Sequence, residues 1–239
     1  MQVTERLFQC DAYLKVCAAT VIASHADGII LDRTVFYPLG GGQPGDTGLL
    51  RLHRGEISIV DTRHGREGQL IHVPAPDSRL PDVGDKVEAV IDWDRRYAHM
   101  RMHTGLHLLG VALPYGVTGG NITAVRSRLD FDMPESVDKA ETQTQLNRLI
   151  RENHPVDSFW IDEDELEARP ELIRTLSVRP PRGVGKIRLL RITDIDLQPC
   201  GGTHVRTTGE IGPMKVTRIE KKGRRNRRVY LEFDNGRDA

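Results

Sequence analysis

The first ninety residues admit few folds. Five stretches, YLKVCAATVIA, GIILD, GEISIVDT, GQLIHV and DKVEAVID, are short, rich in valine and isoleucine, and set apart by glycine, proline or aspartate. β-Branched side chains lose rotamer freedom in a helix and pack well on a pleated surface, so these stretches predict strands bounded by turns. Strands this short and closely spaced bury themselves by forming a small barrel or sandwich. At Trp93 the pattern changes. DRRYAHMRMHTGLHLLGVAL largely drops β-branching for helix formers, and Met100, Leu106 and Leu109 are interleaved with histidines, as in a partly buried helix.

Beyond that helix, AVRSRLDFDMPE alternates like a strand ended by Pro134, and ESVDKAETQTQLNRLIRENHPV predicts a helix that stops before Pro155. Strands return in KIRLLRITDIDL, GPMKVTRIE and RRVYLEF. The acidic WIDEDELEARPELI reads as a helical turn or a surface excursion and has no assigned chemistry. The expected fold class is α+β, with a small β-barrel-like domain over residues 1–92 followed by an α+β domain over residues 93–239.

Composition narrows the setting. No apolar run approaches the roughly 20 residues that cross a bilayer, and the apolar patch near residues 16 to 23 is crowded by Asp11 and Lys15, unlike a signal peptide. Cys10, Cys17 and Cys200 are too few and scattered for a disulfide framework, so the reading is a cytoplasmic protein without membrane contact. The net charge of zero conceals an asymmetry: from Arg179 onward there are 15 Lys and Arg against 7 Asp and Glu. A basic end on a neutral chain suits local contact with a polyanion, or simply a solvated surface.

In HTGLH, His103 and His107 stand one helical turn apart and can face one ion. Nine histidines make such a pair a chance event at an expectation of roughly 0.3, and His99 extends the run to HxxxHxxxH, so this pair alone decides nothing. CGGTH supplies the counterpart, because two glycines between Cys200 and His204 let a tight loop turn a thiolate and an imidazole toward one point. Three nitrogens and a sulfur favour zinc. TVFYPLGGGQPGDTG adds a loop whose glycines permit close approach of a ligand backbone or phosphate, or simply an irregular turn. Its Gly41-Gly42-Gln43 matches the GGQ of peptide release factors, but three residues are too few to carry that chemistry.

These segments, together with IDWDRRYAHMRMHTGLHLL, RLDFD and CGGTHVRTTGEIGPMKVTRIEKKGRRNRRV, occur in an order that resembles the free-standing alanyl-tRNA editing proteins, the AlaX family in its medium-length form, and the editing domain of alanyl-tRNA synthetase. The resemblance covers nearly the whole chain. It implies trans-editing: hydrolysis of mischarged tRNA(Ala), chiefly Ser-tRNA(Ala) and then Gly-tRNA(Ala); no protein partner is inferred. It places His103, His107, Cys200 and His204 on the Zn2+ positions, and Thr34 on a threonine that recognises the serine hydroxyl, beside Gly40, Gly41, Gly42 and Gln43. His99 is an extra histidine. VTGGNIT stands where the synthetase domain has a Gln-Lys-Gly-Ser-like loop, so no catalytic residue is carried onto Thr118 to Asn121, and no general base is named. The basic run Lys221, Lys222, Arg224, Arg225, Arg227 and Arg228 fits phosphate contacts that position an acceptor stem without reading its sequence. Two alternatives stay open: a non-catalytic RNA-binding module with a structural zinc, and a zinc hydrolase of a small ester or amide.

Overall fold

Alternation along the N-terminal strands closes into a barrel. The computed structural model describes residues 3–25, 27–173, 183, 185–234 and 236, and the chain forms two compact units, 1–97 and 98–239. The first unit contains β1 (Glu5–Arg6), α1 (Leu7–Cys10), β2 (Val16–His25), β3 (Gly28–Leu31), β4 (Arg33–Thr34), β5 (Gly48–Leu52), β6 (Gly55–His64), β7 (Leu70–Pro74) and β8 (Lys86–Ile91). Six of these strands form the closed barrel β2-β3-β7-β6-β5-β8, while β1 and β4 pair in parallel outside it. The alternating residues Ile57 and Ile59 of β6 and Val87, Ala89 and Ile91 of β8 fill the core with Leu31, Phe36 and Leu50. The stretch GLLRL, which the sequence reading passed over, is barrel strand β5. Its Gly48 approaches β8 so closely that a Cβ would meet the Val90 carbonyl oxygen at 2.1 Å.

Two buried polar devices organise the chain between β4 and β5. Arg96 and Asp46 form an ion pair, both essentially inaccessible. Arg96 also donates to the Val35 carbonyl (2.7 Å) and the Ala12 carbonyl (3.0 Å), while the Asp46 carboxylate accepts from the Tyr37 N–H (2.7 Å). One guanidinium thus gathers three stretches of backbone. The second device is His72, whose Nδ1 lies 3.1 Å from the Ile29 carbonyl and whose Nε2 lies 2.8 Å from Thr34 Oγ1. A carbonyl only accepts, so Nδ1 carries the proton and the Thr34 hydroxyl donates to Nε2.

Burial pushes the His72 pKa down to about 4, with the Ile29 hydrogen bond opposing it. The unfolded imidazole takes up its proton near pH 6.5 and the folded one only near 4, so stability falls as pH drops through that window. The expected loss is about 3 kcal/mol. Urea-unfolding midpoints followed from pH 7.5 to 4.5 check this: wild type should lose stability more steeply than His72→Gln. Equal slopes would remove His72 as the cause.

The second unit continues α2 (Trp93–Ala112), whose start is capped by Asp92 accepting from the Arg95 N–H at 3.1 Å. From His99 to Leu109 this helix is buried almost all round rather than along one stripe: Met100, Met102, Leu106, Leu108 and Leu109 are all sequestered. Then follow β9 (Gly116–Asn121), β10 (Arg126–Asp132), α3 (Lys139–Arg151), β11 (Val156–Asp162), α4 (Glu163–Glu167), β12 (Lys186–Ile192), β13 (Asp196–Pro199), β14 (Met214–Lys221) and β15 (Asn226–Phe233). They build a sheet of order β14-β15-β10-β9 and a sheet of order β11-β12-β13. VTGGN, expected from the resemblance as a loop, is edge strand β9. Its Gly120 lies against Leu129, whose Cδ2 would sit 2.9 Å from an added Cβ.

The opposite edge is guarded by α3. Asn147 donates to the Met214 carbonyl (2.7 Å) and accepts from the Met214 N–H (2.9 Å), and Gln143 accepts from the Val216 N–H (2.9 Å). Side chains of the helix thereby occupy backbone groups that an edge strand leaves unpaired. The acidic segment is structural at its apolar positions: Leu166 and Leu172 join Ile161, Ile187 and Leu189 in a core cluster. Among the described residues no helix is long and apolar enough to cross a membrane.

Candidate metal centre

Helix α2 presents His103 and His107 on one face, and the loop leaving β13 presents Cys200 and His204. One donor atom from each lies within 4.8 Å of all the others. Cys200 Sγ is 3.5 Å from His103 Nε2 and 3.2 Å from His204 Nε2. In a tetrahedral site with ordinary zinc bond lengths the sulfur–nitrogen separation is about 3.6 Å, so these distances and this donor set fit zinc. His99, also buried, lies outside the converging group, so of the triple-histidine run it is His103 and His107 that converge with Cys200 and His204.

The loop is held firmly. Arg188 Nη1 donates to the carbonyls of Cys200 (3.0 Å) and Gly202 (2.9 Å), and the Cys200 N–H returns a bond to the Arg188 carbonyl (3.1 Å). Downstream, Thr207 and Glu210 form a capping box over the short 3-10 helix Thr208–Ile211, which fixes where the loop leaves. Two imidazoles have partners behind them: His204 Nδ1 lies 3.2 Å from Thr104 Oγ1, and His107 Nδ1 lies 3.3 Å from Asp196 Oδ2.

The electrostatics favour a cation. Burial opposes ionisation of the Cys200 thiol, but the charge of His103 and the hydrogen bonds from His103 and His107 outweigh it and hold the thiol well below its ordinary value. For His204, burial and the charge of His103 push the pKa well down, so this imidazole stays neutral. His107 is the exception: burial opposes its charge, but the hydrogen bonds and charges of Asp196 and Cys200 raise its pKa to about 9, so a metal would displace a proton there.

Thr34 and the glycine-rich loop belong to the barrel unit. Thr34 is fully buried, its hydroxyl bonded to His72 and accepting from the Phe36 N–H at 3.1 Å. Gly40 and Gln43 exchange backbone hydrogen bonds of 3.1 and 2.9 Å across Gly41 and Gly42, whose φ of 58° and 80° make a type I′ turn. Gln43 is buried rather than displayed at the tip.

The basic run forms the β14–β15 hairpin and divides into two groups. Arg227 is 7% exposed and donates to the carbonyls of Gly223, Asn226 and Pro134, holding the hairpin together. Arg228 pairs with Asp130 (2.6 and 2.9 Å) and Arg225 with Asp132 (2.9 and 3.0 Å). Lys222 reaches Glu220 at 2.7 Å, and Lys221 and Arg224 are exposed. Reading residue type alone could not separate structural arginines from free ones. It also missed Asp196, Thr104 and Arg188, which lie far from most of the groups they support and carry no local pattern.

A family model described as the threonyl and alanyl tRNA synthetase second additional domain matches residues 187–230, and one described as class II (A) tRNA synthetases matches residues 9–95. The chain is 37% identical to the alanyl-tRNA editing protein AlaX-M of Methanosarcina mazei, across 96% of both chains. It is equally 37% identical to the AlaX-M of Methanosarcina acetivorans, across 95% of this chain and 98% of that one. The chain belongs to the AlaX family of alanyl-tRNA editing proteins. A longer member, AlaX-L of Pyrococcus horikoshii, is 34% identical over 97% of this chain and 58% of its own length. In this AlaX chain the second-additional-domain match runs from β12 to β15 and so includes Cys200 and His204.

Proposed function

We propose that this chain, an aminoacyl-tRNA deacylase of the AlaX family, acts in trans in the cytoplasm on tRNA(Ala) charged with the wrong amino acid, chiefly serine and secondarily glycine. The observation that carries the reading is the convergence of His103, His107, Cys200 and His204 within 4.8 Å. Zinc held by these four would polarise or orient the ester carbonyl. The chain's own part is to hold Cys200 as a thiolate and His204 as a neutral imidazole, and to keep helix and loop in register through Arg188 and Thr104.

Discrimination needs a handle, because alanine is smaller than serine and no pocket excludes it by size. The Thr34 hydroxyl has its proton committed to His72 and one lone pair committed to the Phe36 N–H. Its remaining lone pair accepts from a serine hydroxyl, which alanine lacks. A buried site that expects a hydroxyl rejects the analogue without it by about 10⁴–10⁵-fold. Glycine has no such handle, so its clearance is weaker. Beside Thr34, Gly40, Gly41, Gly42 and Gln43 shape the approach of the substrate backbone.

The test offers purified protein Ser-, Gly- and Ala-tRNA(Ala). Serine is expected to be released fastest and alanine spared. Thr34→Val is expected to lower serine release about 10²-fold, the value of one well-placed hydrogen bond to a desolvated partner. Hydrolysis of none of the three sinks the reading, and unchanged serine release in Thr34→Val removes that residue from its role.

For the RNA, Lys221, Lys222 and Arg224 contact phosphate directly, while Arg225 and Arg228 exchange their carboxylate partners for it and Arg227 keeps the hairpin in shape. If these five side chains neutralise five phosphates, log affinity falls with log salt at a slope of roughly −3.5 to −4.5. A salt-independent affinity for charged tRNA would discard the hairpin as the clamp. The rival reading, a zinc that only ties helix to loop in an RNA-binding module, is favoured by the filled four-ligand set. Under it, chelation unfolds the second unit with no hydrolysis to lose.

A further inference from the structure

We infer that Asp196 is a positioning residue for the metal centre: it fixes His107 in the tautomer whose Nε2 faces the ion, and Gln198 holds Asp196 for that task. The side chains of His107 and Asp196 are 9% and 0% exposed, and His107 Nδ1 lies 3.3 Å from Asp196 Oδ2. A carboxylate only accepts, so in the neutral imidazole the proton sits on Nδ1 and the lone pair on Nε2, where it would be available to an ion. Gln198 Nε2 donates to the same Asp196 oxygen at 2.5 Å. Rotation of the carboxylate away from His107 therefore breaks two hydrogen bonds in a buried place.

The arrangement follows from strand geometry. Residues two apart on a strand share a face, so Asp196 and Gln198 stand together on β13, and the next position in that series is Cys200. The segment DLQPC thus carries a sulfur ligand and the support for a ligand on the helix. Helix α2 reciprocates. Thr104 lies next to His103, gives its one proton to the Met100 carbonyl at 2.9 Å, and so accepts from His204 Nδ1 at 3.2 Å. His204 is thereby held in the same tautomer, with Nε2 toward Cys200. Each element supplies ligands and braces a ligand of the other. Metal affinity should then depend on residues that never touch the metal, typically by 10–100-fold.

This inference rests on the zinc centre of the proposed function but not on which ester is cleaved, and its test uses no tRNA. Zinc affinity of the full chain is measured by competition against a chelator of known affinity. It is expected to fall about ten- to a hundredfold in Asp196→Asn, by a smaller factor in Gln198→Ala, and not at all in Asp157→Asn, whose exposed carboxylate pairs with Arg191 at 2.5 Å in the same sheet. A folded Asp196→Asn that binds zinc within twofold of wild type overturns the inference. Should that variant fail to fold, long-range ¹H–¹⁵N correlation of the zinc-loaded wild type decides. His107 protonated at Nδ1 and metal-bound at Nε2 supports it, and His107 bound through Nδ1 overturns it.

Discussion

Cys200→Ala is expected to bring the protein out of purification without zinc and to lower Ser-tRNA(Ala) deacylation by about 10³-fold, the several kcal/mol that an ion acting on a carbonyl contributes. Cys200 is the one sulfur of the set, and its thiolate supplies the negative charge that compensates a divalent ion. The substitution should leave the loop standing, because Arg188 grips the backbone carbonyls of residues 200 and 202 rather than the sulfur. Zinc content and deacylation rate should therefore fall together while the circular dichroism of the protein stays unchanged. Full activity in a zinc-free Cys200→Ala would detach the chemistry from the metal.

Asp46→Ala carries the largest expected effect on stability. It strands the Arg96 guanidinium in a fully buried place and leaves the Tyr37 N–H without its acceptor. Breaking one side of a buried ion pair costs about 3–5 kcal/mol, because the surviving charge is left uncompensated. The same logic predicts that Asp46→Ala/Arg96→Met is more stable than Asp46→Ala alone, since the double variant removes the stranded charge. Urea denaturation of the two variants checks this. A single variant within 1 kcal/mol of wild type, or a double variant less stable than the single, would contradict the account.

Much of this molecule is legible from its sequence, and the failures have physical causes. Barrel strands such as GEISIVDT and DKVEAVID announce themselves because one face of each is buried and the other wet, so apolar and polar residues alternate. GLLRL and VTGGN do not. The first is too short and leucine-rich to show the pattern, and the second has glycines where side chains would mark the faces. Strand β11 was hidden for another reason: Asp157, Ser158, Phe159 and Trp160 are all exposed, so its burial does not alternate. The four converging donors, His103, His107, Cys200 and His204, were readable because metal chemistry restricts both residue type and local spacing. Their supports were not, since Asp196 meets His107 across 89 residues and any carboxylate could have served. The basic hairpin shows the converse, in that six like charges read as one feature while the fold commits Arg227 to holding a turn.

The central claim is that zinc at His103, His107, Cys200 and His204 is required for hydrolysis of mischarged tRNA(Ala). The most direct measurement is the rate of serine release from Ser-tRNA(Ala) by the wild-type protein as isolated, after removal of zinc by a chelator, and after zinc is returned. Loss of release on chelation and recovery with one equivalent of zinc per chain is the predicted result. Undiminished release from protein shown to contain no metal would contradict it.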